Sequence, residues 1–402
     1  MKRLDSSRVL VLTSTFPRYP GDTIPPFVLR LCQALRSEGW ESWVLTPHAS
    51  KLAVQDVVEG ISCWRFPYAP ASLETLAYGG GMLANVREAR WRWLLVPFYL
   101  LSLLIFSCFF LWKKRISVVH AHWIIPQGIV GVMLKRIFWW RRIHLVMTAH
   151  GGDLHANMGG VVRRLLVWTM RQADVVAVVS QAMRQHAIDL GVPEEKIVLG
   201  PMGVDTRSFC PPEQGQRRTG VLFVGRLAEK KGVSHLLTAF SLLVKRMPEL
   251  HLSIIGDGPL RQMLEETASI LGLQDSVTFR GGKAPEEIPA FFQRASVFVM
   301  PSIVASTGDQ EGLGLVAAEA MSCACPVVAF DLPAVRDLVV NDQTGLLVAP
   351  GDDAALAREI ERVLTDAALS ARLTGAAKQH IDEGYSWQAG AARYRRFYEI
   401  ND

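Results

Sequence analysis

The chain has 402 residues, half of them hydrophobic, with 20% charged and a formal net charge of +5. That length and apolar fraction suffice for two domain cores, which excludes a disordered or fibrous chain. Six scattered cysteines, Cys32, Cys63, Cys108, Cys210, Cys323 and Cys325, form no metal or redox spacing and exclude a disulfide scaffold, so a reducing cytoplasm is the expected setting.

In chain order, short apolar runs alternate with helical patterns. Val9 to Thr13, Ser42 to Thr46, Val118 to His122, His144 to Thr148 and Val175 to Val179 read as strands in the first half. Gly220 to Val224, Leu250 to Ile255, Val277 to Phe279, Val297 to Met300 and Pro326 to Phe330 repeat the pattern in the second. Such alternation predicts an α/β protein with parallel sheets covered by helices on both faces. The first residues are charged and lead directly into a strand, so no secretory signal is expected.

Trp93 to Trp112 is a charge-free stretch of twenty residues, bracketed by Arg90 and Arg92 before it and Lys113-Lys114-Arg115 after it. By length it could span a bilayer, lie in the membrane surface or form a buried core helix. A true span would put the strand at Val9 and the strand at Val118 on opposite sides of the membrane, although one sheet should contain both. Lys135 to Arg142 is a second basic and aromatic stretch of the kind that suits a headgroup layer. Residues 1 to 200 hold 23 Lys and Arg against 13 Asp and Glu, leaving 20 against 25 for the remainder, so the first half is the basic one. With aromatic neighbours beside its cations, that half is expected to meet an anionic membrane surface and not nucleic acid.

His120 and His122 stand two apart on a strand and could face one way as metal ligands, but no Cys or acidic cluster lies near them in the sequence. No Asp-x-Asp pattern of the metal-dependent transferase kind is present. Neither a metal nor a bound cofactor is expected.

The loop from Pro201 to Thr219 is the best domain boundary, being rich in Pro, Gly, Gln and charge. This predicts domains over 1–200 and 201–384 and a terminal aromatic helix over 385–402. After the boundary, Val221-Leu222-Phe223-Val224-Gly225 is a strand ending in Gly, followed by Arg226 and Lys231. At such a strand-to-helix corner, Arg supplies a planar fork and Lys a point charge for a diphosphate, although both residues also fit surface salt bridges.

Glu311-Gly312-Leu313-Gly314-Leu315-Val316-Ala317-Ala318-Glu319 is the most informative segment. A helix from about Gly312 to Ser322 would separate the carboxylates by about 12 Å with an angular offset of about 80°, so that both face one ligand. The free N–H groups at its start would attract phosphate oxygens, and Gly312 and Gly314 would admit close backbone approach. One carboxylate could take a sugar and the other a ribose. An ordinary amphipathic helix with two solvated glutamates fits the same nonapeptide. Gly312-x-Gly314-x-x-Ala317, with Asp331 further on, also superficially matches a dinucleotide fingerprint, but a polar loop from Ser302 to Gln310 separates it from its strand.

Together these segments resemble the retaining glycosyltransferases of family four, which have two facing Rossmann-like domains in the GT-B architecture. The resemblance extends through Thr148-Ala149-His150-Gly151-Gly152-Asp153, Val178-Val179-Ser180, Pro201-Met202-Gly203-Val204-Asp205, Gly256-Asp257-Gly258-Pro259, Met300-Pro301-Ser302, Pro326-Val327-Val328-Ala329 and Gly345-Leu346-Leu347-Val348. It implies that Glu311 contacts the donor sugar and Glu319 the donor ribose. It further implies that Arg226 and Lys231 hold the diphosphate, and that amides of Gly312, Leu313, Gly314 and Leu315 touch sugar and phosphate. His150 would be the cleft histidine near the donor sugar, with Asp153 orienting it, and Gly21 would belong to the loop closing on donor and acceptor. The implied partners are a nucleoside-diphosphate sugar and a glycan or lipid-linked acceptor at the inner face of the plasma membrane. The terminal helix would cross back onto the first domain. Where the family often has paired glycines and a glutamate after Pro-Val-Val-Ala, this chain has Asp331 to Arg336, and Met202 replaces the common asparagine. A sugar-nucleotide epimerase on the same fold and a non-catalytic membrane-associated relative are the other readings.

Overall fold

The computed structural model describes residues 7–22, 24–78, 81–151, 154 and 160–399. The expected parallel sheets are both present. The first has the order β3-β4-β2-β1-β5-β6-β7-β8. Its strands are β1 (Arg8–Leu12), β2 (Glu41–Pro47), β3 (Gln55–Val58), β4 (Ile61–Phe66), β5 (Val118–His122), β6 (His144–Ala149), β7 (Val175–Val178) and β8 (Ile197–Leu199). All pairs are parallel except the β3–β4 hairpin at the edge. The second sheet has the order β11-β10-β9-β12-β13-β14 and is wholly parallel. Its strands are β9 (Val221–Val224), β10 (Leu252–Ile255), β11 (Val277–Phe279), β12 (Val297–Met300), β13 (Val327–Phe330) and β14 (Leu346–Val348).

Fully buried apolar runs such as β12 (Val-Phe-Val-Met) and β13 (Val-Val-Ala-Phe) are what a sheet covered on both faces demands. Sequence reading missed β3, β4, β8 and β14. β4 carries Arg65 in its interior, and a cation in a strand argues against burial until its partners are visible. Arg65 is fully buried, bonded to Asp56 Oδ2 at 2.8 Å, to the Ala53 carbonyl at 3.2 Å and to the Arg18 carbonyl at 2.7 Å.

Each sheet reverses direction once, between β1 and β5 in the first and between β9 and β12 in the second. Crevices at the carboxyl ends of such strand pairs bind ligands in open α/β sheets. The loops leaving these four strands contain residues 13–22, 122–127, 225–231 and 301–314, and they carry much of the predicted site.

The helix Leu95–Lys114 resolves the three readings of the apolar stretch. β1 and β5, which flank it in sequence, pair directly, so it does not carry the chain across a bilayer. Leu95, Tyr99, Leu103 and Leu111 are buried, while Phe98, Leu101, Ile105, Phe109 and Trp112 are more than half exposed. It is therefore neither a core helix nor a surface helix of ordinary polarity. Pro97 falls in its first turn, where a missing N–H costs no helical bond.

The two crossings between the domains lie side by side. Val204 bridges Ser386 in parallel, and a Cβ on Gly203 would come within 2.7 Å of the Trp387 ring, so only glycine fits. Ser386 caps the terminal helix Trp387–Tyr398 by accepting from the Ala389 N–H. That helix packs on Phe27–Ser37 of the first domain. There Tyr398 Oη meets His120 Nδ1 at 2.7 Å, His120 Nε2 meets Thr148 Oγ1 at 2.7 Å, and Thr148 Oγ1 lies 3.1 Å from Tyr394 Oη, which donates to the Gly200 carbonyl at 2.9 Å. The two His120 nitrogens are thus spent on Tyr398 of the terminal helix and on Thr148 of β6. Tyr398→Phe leaves His120 Nδ1 buried and unpaired, and urea unfolding of that variant is expected to show a loss of about 1–3 kcal/mol.

Candidate active site

The loop 225–231 is held by its neighbours before any ligand arrives. A Cβ on Gly232 (φ +61°) would sit 1.9 Å from the Pro301 carbonyl oxygen, and the Ile303 N–H donates to the Lys230 carbonyl at 2.9 Å. Glu229 accepts from the N–H and hydroxyl of Ser306 at 2.7 and 2.9 Å, and Lys230 donates to Asp309 at 3.1 Å. The loops after β9 and β12 are thereby joined along their length, which puts Lys231 against Glu311.

Lys231 Nζ and Glu311 Oε1 lie 2.6 Å apart, with side chains only 16% and 10% exposed. The contact is off the direction of a hydrogen bond, so this buried oxygen has a cation beside it but no directed donor. A sugar hydroxyl could supply that donor. Arg226 is exposed, and its guanidinium makes no hydrogen bond or ion pair with another described residue. It is open to an anion in a way that Lys231 is not.

The helix after this loop is shorter than the sequence implied. It spans Leu315–Ser322, with Gly314 as its N-cap at φ +84°. Glu311 stands four residues before the helix and Glu319 in its second turn, so the helix expected from Gly312 begins three residues later, while Lys231 lies against Glu311 and within electrostatic reach of Glu319. The left-handed Gly314 ends the loop, and Met300 packs 3.1 Å from where its Cβ would be, so a side chain there would meet both strain and crowding. Fourteen residues separate β12 from the helix, so the strand-turn-helix geometry of a dinucleotide fingerprint is not present at Gly312. The backbone N–H groups of Gly312, Leu313, Gly314 and Leu315 donate to no other described residue and remain available at the start of the helix.

Glu319 is partly exposed by area yet enclosed by protein. Burial pushes its carboxyl up to about 7, against an opposing pull from Lys231. Donors that reach such a carboxylate favour its ionised form, and ribose hydroxyls are suitable donors.

The first domain closes on this site through backbone. A Cβ on Gly312 would lie 3.0 Å from the His150 carbonyl oxygen and 3.3 Å from Gly151 Cα, so His150 and the Glu311 loop face each other across the two domains. His150 is packed by Phe27 at 4.8 Å, Trp123 at 5.0 Å and His122 at 5.2 Å between ring centroids. Its Nε2 lies 3.0 Å from His122 Nδ1. Burial pushes His150 down to about 3, so its imidazole is neutral at physiological pH. Sequence reading missed Phe27, His122 and Trp123 as its surroundings. Only the His-x-His spacing hinted at any of them, and it was weighed only as a metal-ligand pair and set aside.

Gly21 stands at the exposed tip of the loop after β1, with φ +77° and no atom within 4 Å of where a Cβ would be. The loop is clamped beneath it by Arg18, whose Nε and Nη2 donate to Asp22 at 2.9 and 2.8 Å. Asp153 lies outside the described residues.

The comparisons bear on family and fold. A family model described as Glycosyltransferase Family 4 matches residues 26–208, and one described as Glycosyl transferases group 1 matches residues 211–380. Over 279 residues, 67% of this chain and 72% of the relative, the sequence is 32% identical to a GDP-mannose-dependent alpha-(1-6)-phosphatidylinositol monomannoside mannosyltransferase of Mycolicibacterium smegmatis. The chain is a family-four glycosyltransferase. This glycosyltransferase is also 32% identical to a putative colanic acid biosynthesis glycosyltransferase of Escherichia coli, over 47% of each chain. Its fold is that of the sucrose-phosphate synthase of Thermosynechococcus elongatus, with a TM-score of 0.77 at 23% identity, covering 97% of this chain and 98% of the other. The two-domain GT-B architecture implied by the sequence is the one observed.

Glu319 gives a pH test of the site. Its carboxyl binds a proton more tightly in the folded enzyme than in the unfolded chain, so between about pH 4.5 and 7 the folded state holds more protons and stability falls as pH rises. Glu319→Gln removes this contribution. The thermal stability of the variant relative to the unsubstituted enzyme should therefore improve as pH rises through that window and level off above it.

Proposed function

We propose that this glycosyltransferase moves a hexosyl group, with retention of anomeric configuration, from a nucleoside-diphosphate sugar to a hydroxyl of a lipid-linked glycan or glycolipid. The observation that carries this reading is the Lys231–Glu311 pair beside open Arg226, facing His150 across the domain crevice. Glu311 would accept from hydroxyls of the donor sugar and Glu319 from the ribose. Arg226, Lys231 and the amides of Gly312 to Leu315 would hold the diphosphate and stabilise it as it leaves. Two carboxylates acting as in a hydrolase should flank the scissile bond about 5 to 10 Å apart. Here Glu311 is tied to a lysine and Glu319 sits within a helix, an arrangement that suits binding better than acid–base work. The sugar would leave and be taken on the same face, with the departing phosphate helping to deprotonate the acceptor hydroxyl. The cations Arg226 and Lys231 would offset the leaving charge with no metal needed. The substrates in the relative's name, GDP-mannose and a phosphatidylinositol monomannoside, favour a guanosine diphosphate donor and an acceptor with a lipid anchor.

Three helices, Leu95–Lys114, Ile129–Ile137 and Gly160–Gln172, sit side by side in the first domain and support the lipid reading. Phe98, Ile105, Trp112, Trp139, Trp140 and Val161 are each more than half exposed there. From residue 89 to residue 152 the sequence contains no Asp or Glu but nine Lys and Arg. Arg136 lies over Trp168 at 5.1 Å, and Lys114 over Trp43 at 4.0 Å. Apolar side chains ringed by cations fit the headgroup layer of an anionic bilayer, where each cation contributes about 1 kcal/mol. The enzyme would rest on the cytoplasmic face of the membrane without crossing it.

Thermal unfolding against GDP, UDP, ADP and NAD tests the donor site. One nucleoside diphosphate at about 100 times its dissociation constant should add about 2.7 kcal/mol, and the Arg226→Ala, Lys231→Ala double variant should lose the effect. Stabilisation by NAD alone would defeat the transferase assignment of these residues. Flotation with vesicles containing acidic phospholipid should recover the enzyme at low salt. A variant with Trp139 and Trp140 changed to Ser and Lys113, Lys114 and Arg115 changed to Gln should stay in the soluble fraction, and equal flotation of both proteins would remove this face from the reading.

A further inference from the structure

His122 ends β5 at the reversal point of the first sheet, and its side chain is completely buried. Its ring lies parallel to that of His150, 14° between planes, with His122 Nδ1 3.0 Å from His150 Nε2. One of those two nitrogens carries the shared proton. The other nitrogen of His122, Nε2, has no hydrogen-bond partner and is out of contact with solvent. Were the proton supplied by His150, neutral His122 would carry its own proton on Nε2, leaving a buried N–H donor orphaned. Such donors are rarer in folded proteins than under-used acceptors. The economical arrangement puts the His122 proton on Nδ1, donated to His150 Nε2, and leaves a bare lone pair at His122 Nε2.

We propose that His122 is a positioning residue that locks His150 in the tautomer protonated on Nδ1 and fixes the direction of its ring. The lock is rigid because His122 is itself wedged. The His120 ring packs 4.1 Å away and is held by Tyr398 and Thr148, and the next residue, Trp123, adopts φ +79°, which a bulky side chain adopts only under tertiary constraint. Burial holds all three imidazoles well below their ordinary pKa, so the contact is between neutral rings. With Nε2 of His150 turned onto His122, the ring proton of His150 sits on its Nδ1 edge, and its carbonyl oxygen lies beside Gly312. This assignment rests on the reading that His150 steadies the donor, and it makes His150 a donor of a hydrogen bond through Nδ1 and not a general base through Nε2.

The test uses the full enzyme labelled with 15N-histidine, His150 resonances being assigned by their loss in His150→Ala. The expected spectrum shows His150 protonated on Nδ1 in the unsubstituted enzyme and in His122→Asn, whose amide N–H replaces the Nδ1 donor. His122→Leu, or His122→Phe if that variant fails to fold, should show a mixture of tautomers. Release of nucleoside diphosphate from GDP-mannose or UDP-glucose should fall in kcat by about tenfold or more in His122→Leu and largely recover in His122→Asn, with donor KM little changed in both. Protonation on Nε2 in the unsubstituted enzyme, or an unchanged His150 spectrum in His122→Leu, would overturn the proposal. If His150→Ala turns over donor normally, the donor role of His150 fails, while the spectrum still decides the tautomer lock by itself.

Discussion

The structure depends on a close approach of two backbones. Gly151 and Gly312 meet across the domains with no space for a side chain between them, and that contact sets how the carboxyl ends of the two sheets face each other. Each sheet brings a reversal point to the shared crevice, so the loops with the most freedom to carry function converge where neither domain could form a site alone. A site built between domains can close on a ligand, exclude water and reopen, because the only covalent crossings are the adjacent strands of chain at 200–205 and 385–387.

On the donor side, the arrangement is electrostatic. A buried Lys231 beside Glu311 costs desolvation that the pair offsets only in part, and such pairs are weak stabilisers. Its value lies in holding a cation and an acceptor oxygen at fixed positions before substrate arrives. Glu319 extends the same logic, since its carboxyl is held near neutrality by burial and is poised to change charge as donors approach. Arg226, unpaired and exposed, completes the set as the one of these groups free to swing onto an anion.

On the other side, polarity is organised by neutral hydrogen bonds. Tyr398, His120, Thr148, Tyr394 and Gly200 form a buried chain that fastens the terminal helix to β5 and β6, the two strands whose ends carry His122 and His150. The first domain thus couples the terminal helix to the geometry of the crevice, while its outward helices keep apolar and cationic side chains in the open. A chain that acts on a membrane-anchored acceptor would need both.

The sequence by itself determined the fold class, since short continuous apolar runs alternating with helical patterns admit few packings other than covered parallel sheets. It also singled out Arg226, Lys231, Glu311 and Glu319, and the structure sets Lys231 beside Glu311 and within electrostatic reach of Glu319. Hydrophobic pattern cannot place a helix start, however, and the left-handed turn at Gly314, against which Met300 packs, delays the helix by three residues to Leu315. Nor could local sequence foresee that Arg65 would be buried in a strand, since its partners come from Arg18, Ala53 and Asp56. His120 and His122 look equivalent in the sequence, two residues apart on one strand. Only tertiary contacts distinguish them, giving one to Tyr398 of the terminal helix, 278 residues away, and the other to His150, 28 residues away, because a side chain's hydrogen-bonding role is fixed by groups that folding brings near and not by its sequence neighbours.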